Sequence, residues 1–301
     1  MTGAPLLNRI KIATFSAPDV DQVSAVYEKW FGYGTVETGE ISPEIATSWG
    51  SAMMAGRRYV LMQPANKLPV YIRAVEIDAV PNYRPLTTWG WNAIEVLVED
   101  PFKLNRDLSD SPFIIIGKPK TLPRFPTICA MQVRGIANEV LYLTCDTAPE
   151  DKAFLPRAGT TVGRPFVMVV AGPSAESIID WYATHFGIDN GSPVSATAVE
   201  LLQQAQALPD VHKFPVQLKA IKEKGYFIEI DGFPNGTGPK PQYSGQLPPG
   251  ISMTSFAVDS LDKLTSRLFA EPISVKCKGY DGRRSATTVG AAGELVELIE
   301  G

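Results

Sequence analysis

Histidine is scarce in this 301-residue chain, with two residues in all, and cysteine is hardly commoner, with three. Two imidazoles exclude any centre built on three of them. Cys129, Cys145 and Cys277 lie far apart and form no CxxC pair, which disfavours a disulfide framework or a local zinc site. Long hydrophobic runs are missing, since no stretch approaches the roughly 20 apolar residues of a membrane-spanning helix. A surplus of positive charge is missing too: 28 Lys+Arg against 32 Asp+Glu leave a net charge of −4. A chain that gripped nucleic acid through its bulk surface would be basic. The opening MTGAPLLNRIKIATFSAPDV lacks the basic start and apolar stretch of a secretory leader. The expectation is a cytoplasmic, reduced protein with neither nucleic acid nor membrane as partner. The serine-hydrolase, P-loop and zincin motifs GxSxG, GxxxxGKS/T and HExxH do not occur, and no GxGxxG is well placed for a dinucleotide.

What the chain does contain is a repeat. Residues 12–32, IATFSAPDVDQVSAVYEKWFG, align with 167–187, VMVVAGPSAESIIDWYATHFG. Pro18 and Pro173, Tyr27 and Tyr182, Phe31 and Phe186, and Gly32 and Gly187 all recur 155 residues apart. Each stretch reads as a strand stopped at Pro, then an amphipathic helix ending on Gly, the residue best suited to a left-handed C′ position. A second pair, WNAIEVLVEDPFKLNRDL (91–108) and ISMTSFAVDSLDKLTSRL (251–268), reads as strand, acidic turn and short helix. Each half also reaches a terminal apolar strand, NEVLYLT (138–144) and GELVELIE (293–300). The predicted unit is βαβββ, occurring four times, near 8–78, 88–146, 164–231 and 250–300.

The connectors divide the chain. Residues 147–164 form a polar link, placing one two-module domain at 1–150 and a second at 151–301. Residues 231–250 hold 5 Gly and 5 Pro, so this stretch is a loop, either a plain spacer or a lid.

Four such units, with helices ending in WFG or HFG and segments reading FAVDSLD (256–262) and GELVEL (293–298), resemble the vicinal oxygen chelate superfamily. That group comprises the glyoxalases, bleomycin-resistance proteins and extradiol dioxygenases. The resemblance covers nearly the whole chain and implies an α+β fold in which paired modules curl into two half-open mixed-sheet barrels. It also implies a divalent metal held by His or Gln on first strands and Glu on last strands. In this sequence the first-strand positions are Ile12, Ala93, Val167 and Met253, none of them a hard-metal ligand, Met253 offering only a soft thioether. The last-strand positions are Arg73, Tyr142, Glu229 and Glu297. The sequence therefore departs from the metal-dependent pattern, and neither a metal nor another cofactor is expected.

Strand alternation indicates what shares each cavity. One would hold Thr14, Tyr71, Arg73, Trp91, Glu95 and Tyr142. The other would hold Val167, Val169, Phe227, Glu229, Met253, Ser255, Leu295 and Glu297. A slip of one residue would turn any of these faces inside out. Glu229 and Glu297 are the candidate catalytic acids, because a carboxyl among apolar neighbours is desolvated and its pKa rises toward neutrality. Arg73 offers a planar fork for a substrate carboxylate, and Tyr71, Trp91 and Tyr142 offer aromatic faces. A buried Arg73–Glu95 ion pair is the structural alternative. Glu95, Phe227, Met253 and Ser255 complete the candidate substrate contacts. His185, at a predicted helix C-terminus, and the lone His212 read as structural or weakly functional, and Cys145 and Cys277 as small apolar strand residues. The resulting expectation is a metal-independent enzyme, monomeric or homodimeric. It would perform lyase, isomerase or hydratase chemistry on a small hydrophobic or aromatic oxygenated compound. The alternative is a non-catalytic binding protein of the bleomycin-resistance type.

Overall fold

A computed structural model describes residues 5–233, 237–264 and 267–301. The first module contains β1 (Leu7–Ala17), α1 (Val20–Phe31), β2 (Gly34–Glu40), the short α2 (Pro43–Ser48), β3 (Arg58–Gln63) and β4 (Tyr71–Glu76). The second contains β5 (Gly90–Val98), α3 (Pro101–Asp107), β6 (Ile114–Leu122), β7 (Phe125–Arg134) and β8 (Val140–Asp146). The third contains β9 (Val162–Gly172), α4 (Ala175–Phe186), β10 (Ser195–Thr197), α5 (Glu200–Ala205), β11 (Phe214–Ala220) and β12 (Phe227–Gly232). The fourth contains β13 (Gly250–Val258), β14 (Ile273–Ser274), β15 (Arg284–Val289) and β16 (Leu295–Glu300). The short helix expected in this last module is reduced to a single 3-10 turn, Leu261–Lys263, while residues 265–266 lie outside the described residues.

The helix boundaries follow from local chemistry. Asp19 caps α1 by accepting from the Gln22 amide, and Ser174 caps α4 by accepting from that of Ser177. Gly32 and Gly187 end the two helices at φ +68° and +66°, where a Cβ would be strained. The repeated tyrosines have a structural role. Tyr27 on α1 donates to Glu139 beside β8 at 3.1 Å, and Tyr182 on α4 faces Glu294 beside β16. Burial pushes both glutamates up to about 7. Each contact ties a module to the one that follows it.

The strands form two eight-stranded sheets, each curled into a half-barrel. Their orders are β14-β15-β16-β13-β1-β4-β3-β2 and β10-β11-β12-β9-β5-β8-β7-β6. The first sheet joins modules one and four, and the second joins modules two and three. Hydrogen bonding therefore cuts across the division at residue 150, and the chain segments 1–150 and 151–301 each contribute one module to each barrel. The join is the antiparallel pairing of first strands, β1 with β13 and β5 with β9. A large core between the sheets holds the inner faces of α1, α3 and α4, including Tyr27, Phe31, Leu104, Tyr182 and Phe186. Smaller apolar clusters fill the concave faces.

The connection between β12 and β13, residues 233–249 rather than the expected 231–250, acts as a strap between the sheets, with residues 234–236 outside the described residues. Gly238 accepts from the Trp89 amide, and Lys240 Nζ donates to the carbonyls of Trp91 on β5 and Ile251 on β13. Burial pushes the Lys240 amine down to about 7. Farther along, Gln246 donates to Asp78 at the end of the first module. No helix among the described residues is long and apolar enough to cross a membrane. Replacing Lys240 by Met removes both carbonyl contacts and should cost about 1–3 kcal/mol in urea unfolding. Unchanged stability would show that the strap carries no load.

Candidate functional site

Register relates the two barrels position by position. In the first, Thr14 on β1 pairs with Arg73 on β4, and Ser255 on β13 pairs with Glu297 on β16. In the second, Val169 on β9 pairs with Glu229 on β12, and Glu95 on β5 pairs with Tyr142 on β8. The same four places thus carry Thr–Arg–Ser–Glu in one barrel and Val–Glu–Glu–Tyr in the other.

The first barrel is closed. Arg73 and Glu297 are 3% and 1% exposed and form an ion pair at 3.2 Å. Arg73 also donates through Nε to Thr14 at 3.1 Å and through Nη1 to the Tyr280 hydroxyl at 2.6 Å. Glu297 accepts from Trp49 Nε1 at 2.7 Å, from the Tyr280 hydroxyl at 2.7 Å, from Ser285 at 3.4 Å and from Ser255. The guanidinium carbon lies 4.7 Å from the centre of the Trp49 ring. Burial opposes the arginine charge, but Tyr280 and Glu297 outweigh it, so the Arg73 pKa lies above the ordinary arginine value. Tyr71 and Met253 are buried in the same cluster. Arg73 and Glu297 are thus committed to neighbours, although the buried Thr287 Oγ1 beside Glu297 has no hydrogen-bond partner. A guanidinium lodged against the one carboxylate is also unsuited to a cation, so the donor set does not fit the metal of the resemblance.

Among the described residues the second barrel holds no such ion pair. Glu95, Tyr142 and Glu229 each keep part of their surface accessible, as do Leu218 and Val216 opposite them on β11. Phe227, Glu229 and Asp231 alternate onto this concave face, with Ala93, Val167 and Val169 as apolar floor. Thr144 donates to Glu95 at 2.5 Å. Desolvation, together with the charge of Glu229, pushes the Glu95 carboxyl up to about 8, and desolvation pushes Glu229 up to about 7. Asp231 is raised well above its usual value by burial and by Glu229, and the Tyr142 hydroxyl is raised by burial and all three acids. Among the described residues no group of three or more His, Cys, Asp and Glu is placed to hold a metal ion.

Several sequence expectations are corrected by this geometry. Glu229 and Glu297 lie in different barrels and cannot share a proton. Arg73 pairs with Glu297 rather than Glu95. Thr14, Tyr71 and Arg73 are separated from Glu95 and Tyr142, and Met253, Ser255 and Leu295 from Phe227 and Glu229, because the barrels combine modules one with four and two with three. Trp91 is not in a barrel at all. A bulge between Trp91 and Ala93 shifts the β5–β9 register, so Trp91 opposes Val170 and enters the inter-sheet core, where its Nε1 donates to Leu295 O at 2.7 Å. Cys277 lies in the β14–β15 connection, not in a strand. His185 packs 4.9 Å from Trp181 in the last turn of α4, and His212 stands edge-on to Phe214 at 4.7 Å. Asp231, Trp49 and Tyr280 went unrecognised. Alternation from Glu229 would have found the first, whereas the other two arrive on loops outside the repeated pattern.

Two surface clefts lie outside the barrels. One, of about 520 Å³, runs between Trp30–Gly32 and Thr160–Val162, and the other, of about 720 Å³, between Trp181, His185 and Phe269. Glu99 is the one acid lining either, so neither offers a paired acid and base.

Neither a protein-family model nor a curated protein sequence matches the chain. Solved structures do. Glyoxalase I from Zea mays superposes with a TM-score of 0.62 at 14% identity, covering 97% of this chain and 92% of its own. A Bacillus subtilis protein assigned to the dioxygenases superposes with a TM-score of 0.63 at 8% identity, covering 99% of this chain and 86% of its own. At such identities the likeness establishes architecture. The chain has the vicinal oxygen chelate fold, without the histidine ligands of its metal-dependent pattern.

The clasp in the first barrel generates a direct test. Arg73→Met leaves Glu297 buried without its cation and should cost about 3–5 kcal/mol in urea unfolding. Adding Glu297→Met should recover much of that loss, because the uncompensated charge disappears with it. Strictly additive losses would show that the two side chains are not coupled.

Proposed function

We propose that this protein is a metal-independent enzyme whose working site is the cleft of modules two and three. It would move protons on a small compound with an apolar or aromatic body. The observation that carries this reading is the pair Glu95 and Glu229, both partly exposed beside Tyr142, to neither of which a lysine or arginine donates among the described residues. Two carboxyls held near neutrality at different affinities suit opposite roles. Glu95, the harder to ionise, acts as general acid toward an oxygen of the substrate. Glu229 acts as base toward a neighbouring C–H or a water. Tyr142 orients the substrate through its hydroxyl and ring, and Phe227 packs against the apolar body. The reaction types that need only such transfers are isomerisation, elimination and hydration. Arg73, Glu297, Ser255, Tyr71 and Met253 are assigned to the packed first barrel, and Trp91 to the core.

Solvent deuterium wash-in to a panel of aromatic ketones and hydroxy acids tests the chemistry. Glu229→Gln should reduce exchange at least about 100-fold, in line with loss of a general base. Exchange unchanged in both Glu229→Gln and Glu95→Gln would end the proposal, and ligand stabilisation without exchange would indicate binding alone. Stability provides an independent readout. A carboxyl whose pKa is higher folded than unfolded contributes stability that is complete below about pH 4.3 and lost as pH rises through its folded pKa, here about 7 to 8. Glu229→Gln should therefore melt a few degrees above the wild type at pH 9 and level with it at pH 4. Equal melting temperatures at pH 9 would show that the carboxyl is not desolvated.

A further inference from the structure

The second barrel has a charge imbalance that the first resolves internally. In the first, the guanidinium of Arg73 lies against Glu297. Register puts Glu229 where Arg73 stands, so Glu95, Glu229 and Asp231 share one face with no cation in the place of the arginine. Among the described residues no lysine or arginine donates to any of the three, and Thr144 is the side chain that reaches Glu95. Nearby cations are directed elsewhere. Lys120 pairs with Glu200 across β6 and α5, and Lys219 lies on the opposite face of β11, since its neighbour Leu218 is the one that pairs with Glu229.

Asp231 is the second observation. It is 2% exposed, and its Oδ1 is fully buried with no hydrogen-bond partner, although it sits on the concave face beside Glu229. A buried acid without a donor is costly, and proteins ordinarily supply one. In the first barrel the corresponding demand is met by a guanidinium. The walls around these acids are apolar, formed by Ala93, Val169, Val216 and Phe227.

We propose that the ligand of this cleft carries a basic nitrogen, a primary amine or guanidinium on an apolar or aromatic body, which docks against Glu229 and Asp231 as Arg73 docks against Glu297. This rests on the reading of the cleft as the ligand site and narrows it to a cationic substrate class. The ammonium donates three hydrogen bonds, enough to engage Glu229 and the orphaned Asp231 oxygen together. The aromatic body lies over the apolar floor beside Tyr142.

Isothermal titration at pH 8 with 2-phenylethylamine, phenylethylguanidine and the uncharged 2-phenylethanol tests this on the full chain. The charged probes should bind at least tenfold more tightly than the alcohol, and Glu229→Gln should erase that difference. Leu218→Trp, which crowds the space over Glu229, should abolish binding of all three. Affinity for the amine should also rise from pH 6 to pH 8 as the carboxyls ionise while the amine stays charged. Equal affinity for amine and alcohol, both lost in Leu218→Trp, would overturn the cationic class while leaving the cleft as the ligand site. Binding of no probe, or binding insensitive to Leu218→Trp, would overturn both. Binding of Mg²⁺ or Mn²⁺ alone, lost in Glu229→Gln, would replace the amine with a metal and overturn the proposal.

Discussion

Antiparallel pairing of first strands is the contact on which the rest of the molecule depends. β1 runs beside β13 and β5 beside β9, so each four-stranded module completes its curl only against a partner. A lone module would leave that first strand as an unpaired edge and its concave face uncovered. Pairing removes the edge and creates the barrel in one step. It also turns the helix-bearing faces toward each other, where α1 and α4 close the inter-sheet core. The contacts Tyr27–Glu139 and Tyr182–Glu294 then tie each sheet to the other through consecutive modules. Strand pairing joins one with four and two with three, and these contacts join one with two and three with four.

Equivalent strand positions have opposite fates in the two barrels, and connections outside the strands decide which. Trp49 follows α2 and drops onto Glu297, and Tyr280 reaches the same carboxylate from the nine residues that connect β14 to β15. The corresponding connection in module two, between β6 and β7, is only Pro123 and Arg124, too short to insert a side chain into the barrel. The stretch after α5 contains no tryptophan. Trp49 and Tyr280 thus plug the first barrel onto its carboxylate, whereas Phe214 and Phe233 pack on the concave face of the second. Fold identity alone does not convey this difference, since both barrels share one topology.

The fold was largely legible in the sequence because its signals are local. The recurrence of Tyr27, Phe31 and Gly32 as Tyr182, Phe186 and Gly187 reports a strand, a helix and a left-handed cap, each set by its own residues. Which module pairs with which was not legible, because the modules share one pattern of elements and a period does not name a partner. The cavity lists therefore mixed residues from two barrels. Trp91 failed for a different reason: alternation assumes an unbroken pleat, and one extra residue at Asn92 reverses the face. Glu95, Tyr142, Phe227 and Glu229 do converge, since their inward direction depends on strand pattern alone. The Arg73–Glu297 clasp was half legible, its members identified but its pairing assigned to Glu95.

The two barrels are two answers to the burial of charge. Where a sheet curls around carboxylates, their desolvation must be offset by a countercharge or relieved by protonation. Ile12, Ala93, Val167 and Met253 stand at the four first-strand positions of this chain, and the two barrels meet the burial of charge differently. In the first barrel the cation is the covalently attached Arg73, and Glu297 also accepts from Trp49, Tyr280 and Ser255. In the second, no lysine or arginine donates to the acids among the described residues, and Glu95 and Glu229 are pushed toward neutral pH instead. A group that titrates near pH 7 can both give and accept a proton near that pH. The two barrels therefore resolve one burial problem in opposite ways, an ion pair in the first and carboxyls pushed toward neutrality in the second.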